Sequence, residues 1–267
     1  MKLRPVAGIV LRQLYLLRGS PVRIFPIVTW VAIDIVLWGF ITRYLNSVSG
    51  AGVNFVPSLL GAVLLWDFCT RIMQGVATAF LEDVWARNFL NLFASPLSIA
   101  EYVSGLVLTS ILTSSIGLAA MLVLATAVFG LDFFSLGASL VLFLSVLFLF
   151  GITLGIVGSA MVLRLGPASE WLLWPLPAVL APFAAVFYPL ATLPEWMRGV
   201  AVLLPPSYVF EGMRALLAGR GFPAAMLAEG SALALVELLL AGLLYARVYR
   251  HAVRTGLLAR YSAESAA

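Results

Sequence analysis

Long apolar runs alternate with short polar breaks along most of the chain. The runs cover about 24–42, 55–80, 102–128, 134–163, 171–190 and 229–249. A helical crossing takes ~20 residues, because the hydrocarbon core is ~30 Å thick and a helix rises ~1.5 Å per residue. The pattern therefore predicts an all-α integral membrane fold with six transmembrane helices. Arg43 to Asn54, with Gly50 and Gly52, makes a polar loop, and Gly130 to Phe133 a tight turn. Arg164 to Glu170 makes a second short loop. The fifth run holds Pro175, Pro177, Pro182 and Pro189. Proline removes a donor and clashes with the preceding turn, so this span is kinked or broken. In a bilayer that is tolerable only where neighbours or water satisfy the freed carbonyls.

Three segments depart from the simple pattern. Residues 1–23 are basic and amphipathic: Arg4, Gly8, Arg12, Tyr15 and Gly19 share one helical stripe, and Val6, Ile9, Val10, Leu14 and Leu17 lie roughly opposite. Leu11 and Gln13 spoil that division. The expectation is an interfacial helix lying on the membrane, with Pro21 turning the chain inward. Residues 191–220 divide into two pieces of about 11 residues, each ~16 Å long and too short to cross. Pro194 opens the first and Pro205-Pro206 ends it. Ser207 caps the second, and Gly219 and Gly221 terminate it. This predicts a re-entrant helical hairpin on the outer side, between spans five and six; two helices on the outer surface are the alternative. Residues 82–100 mix Glu82, Asp83, Arg87 and Asn88 with apolar Trp85, Phe89, Leu90, Leu92 and Phe93 before Ser95-Pro96. An ordinary loop does not need so many large apolar side chains. A helix at about 82–94 that docks onto a partner does, and Pro96 stops it.

Composition agrees with burial in lipid. Hydrophobic residues make up 63% of the 267 residues and charged residues 10%, with mean hydropathy +1.07. Soluble domains carry roughly 25% charged residues. The net charge of +4 does not indicate nucleic acid, because the basic residues gather at the two chain ends, where anionic headgroups lie. With both termini cytoplasmic, Arg43, Arg198, Arg214 and Arg220 are outside, Arg71 is within a span, and every other Lys and Arg is inside. That bias sets the orientation. It makes 24–249 the transmembrane domain and 250–267 a cytoplasmic tail. Arg12 and Arg18 interrupt the first apolar stretch, so no cleavable signal peptide is expected.

The chemistry is sparse. There is no phosphate-binding loop, no H-E-x-x-H and no nucleophile elbow, so no catalytic residue and no cofactor site are assigned. Cys69 is the only cysteine and His251 the only histidine, so no metal site is expected. Cys69 reads as a buried inert thiol and His251 as a headgroup-facing residue. Asp34, Asp67, Arg71 and Glu237 fall within spans, where an ionisable group is costly and a functional candidate. Asp67 and Arg71 are four apart and able to pair; Asp34 faces a cavity or joins Arg71 across helices.

Four features follow one another along the chain: the basic first helix; Asn91-Leu92-Phe93-Ala94-Ser95-Pro96-Leu97-Ser98; Phe187-Tyr188-Pro189-Leu190 with Leu193-Pro194-Glu195-Trp196; and Leu204-Pro205-Pro206-Ser207-Tyr208 running into Glu211-Gly212-Met213-Arg214. In this order they resemble the membrane subunit of an ABC-2 type exporter. The family often has Asn-Pro where this chain has Pro205-Pro206. The resemblance implies a permease that forms a pore as a dimer with a second identical copy, in the bacterial plasma membrane. It implies a separate ATPase subunit that binds the ATP. Glu82, Asp83, Trp85, Arg87 and Phe89 would then belong to the coupling helix. Glu195, Tyr208, Glu211 and Arg214 would belong to the outer hairpin at the exit. A secondary transporter or channel using Asp34, Asp67 and Glu237 is the alternative. A lipid transferase would need paired acids at a membrane face, and only Glu82-Asp83 are adjacent.

Overall fold

The computed structural model describes residues 3–48, 56–88, 91–92, 95–131 and 137–257. Among them the chain is helical, with no strand. The long helices are α2 (Pro21–Val48), α3 (Gly61–Trp85), α4 (Ile99–Phe129), α5 (Ala138–Leu165) and α9 (Ala224–Arg254), preceded by α1 (Leu3–Arg18). The short ones are α6 (Leu176–Leu180), α7 (Glu195–Ala201) and α8 (Pro205–Leu217). Among the described residues four helical stretches are long and apolar enough to cross a membrane: Ser58–Trp85, Ile99–Phe129, Ser139–Leu165 and Ala224–Arg254. The bent pair α7–α8 raises the count to five if it forms one span. The chain is thus a multi-pass helical membrane protein.

α5 is the centre of the bundle and packs on both α3 and α9. Its contact with α3 is made by two glycines one turn apart. A Cβ on Gly151 would stand 2.7 Å from the Cys69 carbonyl oxygen, and one on Gly155 2.6 Å from Val76 Cβ. Small residues at i and i+4 let helix backbones approach where no hydrophobic driving force exists between helices in lipid. The face of α3 that meets them holds Cys69, Ile72, Met73 and Val76, all buried. α4 packs on another side of α3, where the Ser110 hydroxyl donates to the Ile72 carbonyl at 2.8 Å.

α4 starts at a full capping box. The Glu101 amide donates to Ser98 Oγ at 3.3 Å, and the Ser98 amide donates to Glu101 Oε2 at 3.0 Å. Two of the orphan donors at the helix start are satisfied reciprocally. Gly130, with φ 65°, closes the other end in the left-handed conformation.

α1 lies across the end of the bundle where α3 stops and α4 begins. Ile9 fills the notch left by Gly105 of α4, where a Cβ would stand 2.7 Å from Ile9 Cγ2. Gln13, which breaks the apolar stripe in sequence, is buried, and its side-chain amide reaches the Ala79 carbonyl at 3.5 Å. α1 therefore packs on protein along Val6, Ile9 and Gln13, while Leu11 and Tyr15 are exposed. This is tighter than an independent helix floating on the membrane surface.

Residues 171–190, expected as a broken span, hold only α6 as regular α-helix, flanked by 3₁₀ pieces at Pro167–Leu172 and Leu190–Thr192. The prolines account for the breaks. Arg214 of α8 donates to the carbonyls of Ala185 at 2.7 Å and Val186 at 3.3 Å. The broken backbone is satisfied by a neighbour, as burial in lipid requires. α7 and α8 meet at 101°. Pro205 occupies the first turn of α8, so Ser207 is inside the helix rather than its cap. Its hydroxyl turns back to the carbonyls of Ala201 and Leu204, at 2.7 and 2.8 Å, and so binds α7 to α8.

Candidate functional site

The polar side chains of α3 recur at Asp67, Thr70, Arg71, Gln74, Thr78 and Glu82, a spacing of three or four residues. On a helix that spacing makes one stripe. All six are half-buried, while the residues on the remaining faces of α3 between them are buried. The stripe forms one wall of a partly open cavity of about 810 Å³. From Asp67 to Trp85 the wall measures about 27 Å at ~1.5 Å per residue, close to the thickness of the hydrocarbon core.

The facing walls come from several elements. α2 supplies Trp30 and Asp34, and α4 supplies Thr109, Thr113 and Ser114. Gln13 of α1 and Trp85 lie toward one end, and Trp174 joins from the segment before α6. α2 packs mainly on α4 and on the π-helical turn Val56–Leu60. The cavity lies between α2 and α3.

Within it, Arg71 Nε donates to Asp67 Oδ2 at 2.6 Å, so the pair expected four residues apart is formed. The charge of Arg71 also reaches Asp34, which makes no hydrogen bond or close ion pair among the described residues. Thr109 and Thr113 donate to carbonyls of their own helix. The Ser114 side chain is buried, and its hydroxyl has no partner among the described residues. Glu237 lies on α9 and is not part of this cavity, so the structure does not bring it together with Asp34 and Asp67.

The residues expected in a docking helix separate. Glu82, Asp83 and Trp85 form the last turn of α3. Arg87 then takes φ 53°, and the Asn88 amide bonds back to the Asp83 carbonyl at 3.0 Å, which ends the helix. The segment 82–94 is accordingly not one continuous helix. Phe89 lies outside the described residues, as do Leu90 and Phe93; Asn91 and Leu92 are helical. Asp83 is turned inward rather than toward a partner. It is 3% exposed and accepts from Arg12 at 2.7 and 2.9 Å and from the Tyr102 hydroxyl at 2.8 Å. Burial works against the Arg12 charge, yet the hydrogen bond and charge of Asp83 more than offset it and raise the Arg12 pKa above its usual value. Glu82 faces the cavity. Trp85 is half exposed and donates from its indole to Glu170 Oε2 at 2.8 Å. Arg87 is exposed.

At the opposite end, Glu211 and Arg214 pair at 3.1 Å, and Glu211 Oε1 also accepts the Leu190 amide at 2.7 Å. These two hold the segment before α7. Tyr208 donates to the Val202 carbonyl at 3.0 Å, and Glu195 is exposed at the start of α7. Among the described residues no group of three His, Cys, Asp or Glu side chains is placed to hold a metal ion.

The chain matches no protein-family model. It matches no curated protein. The fold and site define a class, a multi-pass helical membrane protein with a polar cavity between its helices.

Proposed function

We propose that this chain is the membrane-spanning subunit of an ATP-driven exporter of the ABC-2 type. The observation that carries it is the polar stripe along α3. A row of polar side chains about 22 Å long from Asp67 to Glu82, at ~1.5 Å per residue, is costly in lipid unless it borders a path for a polar solute. The order of motifs from the first helix to Met213 supplies the family. In this reading α2 and the segment 167–193 complete six crossings, and α7–α8 dips into the outer leaflet as a re-entrant hairpin. Both termini face the cytoplasm of a bacterial cell. Two copies face each other to close the path, and a separate subunit hydrolyses ATP. It docks where α1, Trp85, Arg87 and the chain around Leu92 share one end of the bundle.

An ion-coupled transporter would need a relay of carboxylates. Of the three expected for it, Asp67 is already paired with Arg71 and Glu237 is outside the cavity, which leaves Asp34 of that set.

Purification in a mild detergent from the native host tests the proposal. A nucleotide-binding subunit is expected with the wild-type chain at one copy per chain, and reduced at least tenfold with Trp85→Asp combined with Arg87→Glu. Retention of a pure, ATPase-free chain, or proton-driven flux by the chain alone in liposomes, would sink it.

A further inference from the structure

The cavity wall has an unequal charge. Among the described residues it carries three carboxylates, Asp34, Asp67 and Glu82, against one guanidinium, Arg71. Arg71 is paired with Asp67, and Arg12, whose charge also reaches Glu82, is paired with Asp83. The formal excess is negative. Indole rings stand at the same wall, from Trp30, Trp85 and Trp174. Indole faces attract cations through the ring quadrupole, most strongly where water is excluded. The cavity volume of about 810 Å³ is that of a site for a drug-sized molecule. A further feature points to an occupant. Ser114 lines the cavity, is 4% exposed, and has a hydroxyl without a partner among the described residues. Native structures leave few such groups unsatisfied.

Resting on the transport reading of this same cavity, we propose that it binds amphipathic organic cations: an apolar, aromatic body carrying one fixed positive charge. Asp34 supplies the counter-charge, because it makes no hydrogen bond among the described residues, and Arg71 beside it repels a ligand placed the other way round. The tryptophans pack on the apolar body. Ser114 takes a polar substituent. An anionic solute would meet the carboxylate excess with nothing but the already paired Arg71 to receive it.

The probes are tetraphenylphosphonium and tetraphenylborate, which share shape and size and differ in charge sign. Each is measured by equilibrium dialysis against the purified full chain in detergent, with empty micelles subtracted. Saturable binding of tetraphenylphosphonium is expected, weakened at least tenfold by Asp34→Asn and several-fold by Trp174→Ala. Glu229→Gln, an exposed carboxylate outside the cavity, should bind as the wild type does. Tetraphenylborate should show no saturable binding. Equal binding of the two ions, no saturable cation binding by a folded chain, or an Asp34→Asn variant that binds as the wild type does would each overturn the proposal. The assay uses the chain alone. Cation binding without a copurifying ATPase would count against the exporter and not the site; an ATPase without cation binding would count against the ligand class alone.

Discussion

Asp83 joins three helices through one carboxylate. It receives Arg12 from α1 and Tyr102 from α4 while sitting on α3. Removing it leaves a partly buried guanidinium and a buried phenol without their acceptor. Breaking a buried ion pair from one side costs ~3–5 kcal/mol, and Arg12, 28% exposed, recovers some water, so Asp83→Ala should cost about 3 kcal/mol. Tyr102→Phe removes one hydrogen bond and should cost about 1 kcal/mol. Thermal unfolding in detergent separates the two, and equal losses would show that Arg12 does not depend on Asp83. In sequence Asp83 is indistinguishable from its neighbour Glu82, since both are acids at the end of an apolar run. What separates them is the helical phase of α3, which turns one to the core and the other to the cavity. The pairing of Asp67 with Arg71 was legible because it is local. The tie from Arg12 to Asp83 was not, because it joins residues far apart in the chain.

The helices themselves follow from apolar run length, and that part of the sequence signal is strong. α4 and α5 lie within a few residues of their expected ends, and Pro194 and Gly219 flank α7 and α8 as anticipated, whereas Pro205, expected to end the first piece, opens the second. Two patterns in plain view carry more than span lengths. Gly151 and Gly155 form a small-residue pair that sets the α3–α5 contact, and the polar residues of α3 keep a helical period from Asp67 to Glu82. Both become visible when the phase of each span is read as well as its length. Gly155→Leu forces a side chain against Val76 and the Met73 carbonyl, which is backbone and cannot swing away. Overpacking of this kind costs ~1–3 kcal/mol, and the upper end is expected here. Gly242→Leu on α9, with open space around it, should be neutral within about 0.5 kcal/mol. Comparable melting losses for the two variants would mean that α3 and α5 do not depend on close approach.

At the scale of the molecule, the cavity must be wet and the rest of the bundle dry. Cys69 is 1% exposed, so the wild-type chain is a nearly silent background for thiol labelling. A water-soluble methanethiosulfonate should leave Cys69 unmodified and react with Thr78→Cys in the cavity wall. Leu112→Cys, exposed on the outside of α4, should react slowly, because a thiol in hydrocarbon does not ionise to the reactive thiolate. Intact mass reads all three, and a Thr78→Cys variant as inert as Cys69 would mean that the cavity holds no water. One wall of this cavity, α2, is tied to its neighbours around Gly39. Trp38 stacks on Phe187 with ring centroids 5.3 Å apart, the Phe129 ring fills the notch at Gly39, and Arg43 donates to the Val128 carbonyl at 2.8 Å. Among the described side chains these ties lie near Gly39, and from there back to Pro21 the helix runs about 27 Å at ~1.5 Å per residue. A 10° tilt about Gly39 would sweep the Pro21 end by about 5 Å, nearly twice the diameter of a water molecule. That end continues through Gly19 and Ser20 into α1. A tilt that widened the slot between α2 and α3 would therefore pull on α1 through only two residues, against the ties of α1 to Asp83 and to the notch at Gly105.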